Sequence, residues 1–160
     1  MLRKKTNHRV KIVTQNNLSK SKFLKGLQCH KSLWLHKHEP ELLTPPDESQ
    51  QAIFDRGTAV GLLAQNLFPN GKAIIYEERS LSEKIKQTKE LINEGIKSVY
   101  EATFSYNNVL VMVDILHKGK RGWEIYEVKS STVKRAIDLR EVHLNDLSVQ
   151  YYVLSGCGLP

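Results

Sequence analysis

The chain has 160 residues, 40 per cent of them hydrophobic, enough for one domain with a buried core. No run of 18 apolar residues occurs, and the basic start MLRKKTNHRVKIVTQNN lacks an apolar middle. A membrane-spanning helix and a secretory signal are therefore not expected, and the reading is a soluble cytoplasmic protein with no membrane partner. The net charge of +7 is local: residues 1–38 carry ten Lys or Arg and no acid, whereas the remainder holds 14 basic and 17 acidic residues.

In chain order, residues 1–17 form a basic leader, either disordered in solvent or laid against phosphates, and residues 18–160 form a single domain. Lys20, Lys22, Lys25 and Lys31 continue the basic run and are candidates to track a nucleic-acid backbone, where each neutralised phosphate makes binding salt-dependent. Phe23, Leu24, Leu27, Leu33, Trp34 and Leu35 recur at helical spacing, which predicts two short helices meeting near Cys29 and ended by Pro40. Cys29 reads as a small buried residue between them. His30, His36 and His38 lie nearby, but without a C-x-x-C pair the spacing does not predict zinc, and two cysteines make no disulfide framework.

Asp47 can cap a helix running to about Phe68, with Ile53, Val60, Leu63 and Leu67 on one stripe. A short strand, KAIIYEE, follows. Ser80 and Glu83 then offer a capping box for a helix with Ile85, Thr88, Leu91 and Ile92 inward, closed by Gly95. Three strand-like runs come next, KSVYEATFSY, VLVMVDILHK and GWEIYEVKSS, joined by NN and GKRG turns. The middle run, apolar on both faces apart from Asp114, is the central one. A last helix is expected to put Leu144, Leu147, Tyr151 and Leu154 on a common side, with Gly156 past its end. The order describes a mixed α/β (α+β) domain.

Symmetric hairpins about the two turns set Glu101 opposite Asp114 and Asp114 opposite Glu127, with Lys129 further along the same face. Three carboxylates side by side in a sheet repel one another and call for something positive. Lys129 is one answer. A hard divalent cation held through oxygen is the other, and a purely structural ion-pair cluster stays open beside it.

Asp114 followed thirteen residues later by EVK at 127–129 resembles the core motif of the PD-(D/E)XK nuclease superfamily, especially its RecB-like branch with the CRISPR-associated RecB-like exonucleases. LSKSKFLKGLQCHKSLWL looks like that branch's opening segment, YEATF like the strand before the aspartate, and VQYYVLSG like the helix after the lysine. The order over residues 18–156 is also similar to an uncharacterised bacterial family of that superfamily. The resemblance implies a restriction-endonuclease-like core and a Mg²⁺- or Mn²⁺-dependent deoxyribonuclease. Asp114, Glu127 and the Val128 carbonyl would hold the ion, with Glu101 a further ligand or a partner of Lys129. Lys129 would act with the ion on a water and the scissile phosphate, and Gln150 and Tyr151 would orient the attack or a phosphate.

Three departures accompany it. The branch's Gly-x-x-x-His ligand is replaced by Gly61, and the tyrosine expected four residues after Gln150 is Leu154. Of the cysteines that hold an iron-sulfur cluster in some members, only Cys29 and Cys157 have counterparts, so no cluster is expected. The superfamily core ends in a strand that would begin where this chain stops, which leaves a fragment of a longer protein, a homodimer, or a missing region completing the sheet. A nuclease-fold module that binds nucleic acid or protein without cutting is the alternative to the enzyme.

Overall fold

The computed structural model describes residues 17–75, 80–131 and 141–159. The leader up to residue 16, the end of KAIIYEE and residues 132–140 lie outside them. The elements are β1 (Leu18–Ser19), α1 (Lys20–Gln28), α2 (His30–His38), a 3-10 turn (Pro40–Leu42), α3 (Glu48–Gln65), β2 (Lys72–Ala73), α4 (Leu81–Asn93), β3 (Ser98–Tyr106), β4 (Val109–Lys118), β5 (Trp123–Tyr126) and α5 (Glu141–Gly156). Together they make a mixed α/β fold whose partly antiparallel sheet is flanked by helices. Among the described residues no helix is long and apolar enough to cross a membrane.

The sheet is organised by the β3–β4 hairpin. Asn107 and Asn108 both take positive φ, 48° and 61°. Such a two-residue turn has the twist of the strands it joins, and it sets the expected register, Ser98 opposite His117 and Tyr106 opposite Val109. On the other side of β4, β5 pairs antiparallel with Ile115 opposite Tyr126 and Lys118 opposite Trp123, again as expected. Pairing stops at Tyr126, short of the predicted strand. The cause is local: the Val128 N–H donates to Asp114 Oδ2 at 2.7 Å, so the chain leaves the ladder and bonds to a side chain instead. The short β1 and β2 add parallel pairings to β4 and β3.

Val99, Ala102, Phe104, Val111, Val113 and Leu116 supply the sheet's share of the core, and α4 and α5 contribute Leu91, Val149, Val153 and Leu154. The capping box of α4 is formed, with Ser80 N–H donating to Glu83 Oε2 at 2.7 Å and Glu83 N–H to Ser80 Oγ at 3.4 Å. Gly95, at φ 79°, closes the helix: its N–H bonds to Ile92 O and that of Ile96 to Leu91 O. Thr88 is fully buried and its Oγ1 accepts the Thr103 N–H at 3.0 Å, tying α4 to β3.

Three expectations are corrected. Cys29 is exposed, because the close approach of α1 and α2 occurs at Gly26, where a Cβ would stand 2.9 Å from the Leu33 side chain. In α3, capped by Asp47 as expected, Ile53, Leu63 and Leu67 are exposed and no residue of the helix is buried. An apolar stripe faces a core only where another element covers it. In α5 the buried residues are Asp146, Val149, Gln150, Val153 and Leu154, while Leu144 and Tyr151 are exposed and Gly156 lies inside the helix against the Tyr106 ring. Two polar groups turn inward there because partners meet them: Lys20 and Lys129 for Asp146, and the Glu127 and Asp146 carboxylates for Gln150.

Candidate functional site

The strand register carries Glu101 (β3), Asp114 (β4) and Glu127 (after β5) to one side of the sheet. All three, with Val128 and Lys129, border a cleft of about 330 Å³ whose other wall is Gly57, Thr58, Gly61, Leu62 and Gln65 of α3. Gly61, where the resembled branch carries histidine, thus faces the acids, and a Cβ built on it meets nothing within 4 Å. Glu101 is in the left-handed region at φ 56°, between regular pairs at Tyr100–Ile115 and Ala102–Val113. A glutamate there is a strained residue, and strain of this kind persists only where neighbours impose it.

Behind the cleft lies a second set of charges. Lys20 Nζ donates to Glu127 Oε1 at 3.0 Å and Oε2 at 2.9 Å, Lys129 Nζ donates to Oε1, and Gln150 Nε2 donates to Oε2 at 2.7 Å. Each Glu127 oxygen therefore accepts two hydrogen bonds, which fills the four acceptor positions of a carboxylate. Asp146 shares the same donors: Lys20 at 3.0 Å, Lys129 at 2.7 Å and Gln150 at 3.1 Å. Two ammonium groups meet two carboxylates whose side chains are only 7 and 3 per cent exposed. Buried ions are tolerated when paired and hydrogen-bonded in this way, and removing one partner leaves the others uncompensated. Gln150 is fully buried, and its Oε1 has no hydrogen-bond partner among the described residues. The acceptor-only carboxylates fix which end of the amide is nitrogen.

The two sets differ electrostatically. Burial, then the charge of Glu127, holds the Asp114 carboxyl above the usual aspartate range, despite the Val128 N–H. Burial and the charge of Asp114 raise Glu101 likewise. Burial alone would lower Lys129, but its hydrogen bonds to Asp146 and Glu127 outweigh this and leave it above the ordinary lysine value. Burial would raise Asp146, and the Lys129 hydrogen bond together with the Lys20 charge brings it below the ordinary value instead. Cations thus satisfy Glu127 and Asp146, while Glu101 and Asp114 share a poorly solvated repulsion.

Of the residues singled out in the sequence, Asp114, Glu127, Val128, Lys129 and Glu101 gather at the cleft, and Gln150 joins them from α5. Tyr151 is 71 per cent exposed, away from this centre. Lys20 does not stand with the other basic residues but pairs with Glu127 and Asp146; the Lys22 N–H caps α1 through Ser19 Oγ, and Lys31 is exposed. Asp146 joins the site without having been expected from the sequence, where its one signal is a position one helical turn before Gln150 and so on the same face. Among the described residues no three His, Cys, Asp or Glu side chains are grouped so as to hold a metal ion. The arrangement agrees with this: with every Glu127 acceptor position taken, the residues do not fit a divalent cation as they stand. Comparison with protein-family models, curated proteins and solved structures gave no match.

Proposed function

We propose that this chain is a nuclease-fold module, restriction-endonuclease-like in architecture, that binds DNA along its basic amino-terminal segment and does not cut it. One observation carries the reading: the Glu127 carboxylate, which a PD-(D/E)XK nuclease would give to a metal, is saturated by Lys20, Lys129 and Gln150. The basic segment supplies the attraction. Residues 17–38 hold five lysines and no acid, opposite in character to the slightly acidic remainder. Nothing in this segment reads base edges, so binding is to the backbone and tolerant of sequence.

A second reading is favoured by the pair Glu101 and Asp114, which border an open cleft beside Lys129 and, among the described residues, make no direct ion pair. It is a Mg²⁺- or Mn²⁺-dependent deoxyribonuclease using Asp114, Glu127, Val128, Lys129 and Gln150, and it requires Glu127 to be released from Lys20. Incubation with linear and circular DNA in Mg²⁺ or Mn²⁺, beside Asp114→Ala and Lys129→Ala, separates the two. The binding module yields no metal-dependent products, and the DNA affinity of both variants stays within about twofold of the parent. Fragments that need the metal and vanish with either substitution establish the nuclease.

A further inference from the structure

We propose that Lys20 stands in for a cation: its ammonium holds the Glu127 oxygens that a divalent ion would take, so the seating of α1 decides whether the acidic cleft can bind one. This deepens the non-cutting reading and rests on it. The backbone brings Lys20 to this place. It is the first residue of α1, directly after β1, which pairs in parallel with β4 through Leu18–Val109 and Ser19–Leu110, and Leu18 N–H bonds to Asn108 O at 2.8 Å. Asp114 lies on that same β4. One strand therefore sets both the acid of the cleft and the lysine that holds Glu127 from behind it.

Charge supports the assignment. Among the described residues Lys20 and Lys129 are the cations set against Glu101, Asp114, Glu127 and Asp146, so with all ionised these groups keep an excess of negative charge, and losing Lys20 enlarges it. Lys129 is the poorer plug, since its side chain is 39 per cent exposed against 20 per cent for Lys20, and it touches one Glu127 oxygen where Lys20 touches both. An independent sign of an incomplete centre is the buried Gln150 Oε1, an acceptor with no donor on the same amide that bridges Glu127 and Asp146. Freed carboxylate oxygens are hard ligands, suited to Mg²⁺ or Mn²⁺.

The test is Mn²⁺ binding to the full chain, followed by the free-ion magnetic resonance signal and by the shift in thermal unfolding. Lys20→Met is expected to bind Mn²⁺ at least about tenfold more tightly than the parent chain. Lys20→Arg, which keeps the charge, does not gain affinity, and Asp114→Asn added to Lys20→Met removes the gain. Lys22→Met controls for bulk charge and leaves affinity near that of the parent. If Lys20→Met lowers the unfolding temperature, Mn²⁺ restores it, and Lys20→Gln serves as a milder version. Equal affinity in the parent and Lys20→Met, an equal gain from Lys22→Met, or two unfolded Lys20 variants that Mn²⁺ fails to rescue would overturn the proposal. DNA binding measured in chelator is a separate readout, so a failure of the DNA-binding reading shows there and not in the ion titration.

Discussion

At the scale of the residue, the site is a contest between two ways of settling buried carboxylates. Glu127 and Asp146 are settled by ammonium groups; Glu101 and Asp114 are not, and burial with mutual repulsion raises both. A carboxyl raised in the folded state favours folding fully below its unfolded pKa, and that contribution is lost as pH rises through the folded value. The ionised pair is thus a liability at neutral pH. Asp114→Asn keeps an oxygen to accept the Val128 N–H and removes the charge. It is expected to stabilise the protein at neutral pH by up to roughly 1 kcal/mol, the scale of opposed like charges on neighbouring strands. Thermal unfolding checks this, and the advantage over the parent should shrink as pH falls through the raised folded value of the aspartate, below which it is protonated anyway. Asp146 carries the opposite sign: lowered by Lys129 and Lys20, it contributes stability at neutral pH that is lost as pH drops through its folded value.

At the scale of the element, the β3–β4 turn is the part most firmly dictated by local chemistry. Two consecutive asparagines tolerate the left-handed backbone that a tight hairpin demands, and their place in the sequence is enough to fix the register on either side of Asp114, Ala102 opposite Val113 and Tyr100 opposite Ile115. Asn108→Val puts a β-branched side chain at φ 61° and is expected to cost roughly 1–2 kcal/mol in urea unfolding, whereas Asn108→Gly should be neutral or stabilising. The α4 box and its glycine closure are equally local, and both are visible in the sequence as SLSE and Gly95. Helix faces are different. The stripes on α3 and α5 have helical periodicity, yet α3 leaves its own exposed and α5 buries Asp146 and Gln150 in place of Leu144 and Tyr151. Which face turns inward depends on what lies opposite, and for α5 that is Lys20 and Lys129, distant in sequence.

At the scale of the whole molecule, charge is segregated between a basic amino-terminal quarter and a slightly acidic remainder that contains the cleft. On the proposed DNA-binding reading, a polyanion would be drawn to the former and repelled by the latter. If Lys22, Lys25 and Lys31 each neutralise a phosphate, replacing all three with Gln flattens the dependence of log affinity on log salt by about 2 to 3, from about 0.9 per contact on duplex DNA. Fluorescence anisotropy over a salt series measures it. Lys20→Gln should leave that slope almost unchanged, since its ammonium is already spent on Glu127 and Asp146.

The sequence by itself determined what short-range chemistry can encode: the caps, the asparagine turn, the strand order of the meander and hence the juxtaposition of Glu101, Asp114 and Glu127 on one side of the sheet. Tertiary structure alone decided what those acids meet. Lys20 reaches Glu127 across 107 positions of sequence, and Asp146 turns inward to join it. No periodicity reports such a meeting, because a charge is neutralised by whichever group the folded chain brings within about 4 Å, however far away it lies along the backbone.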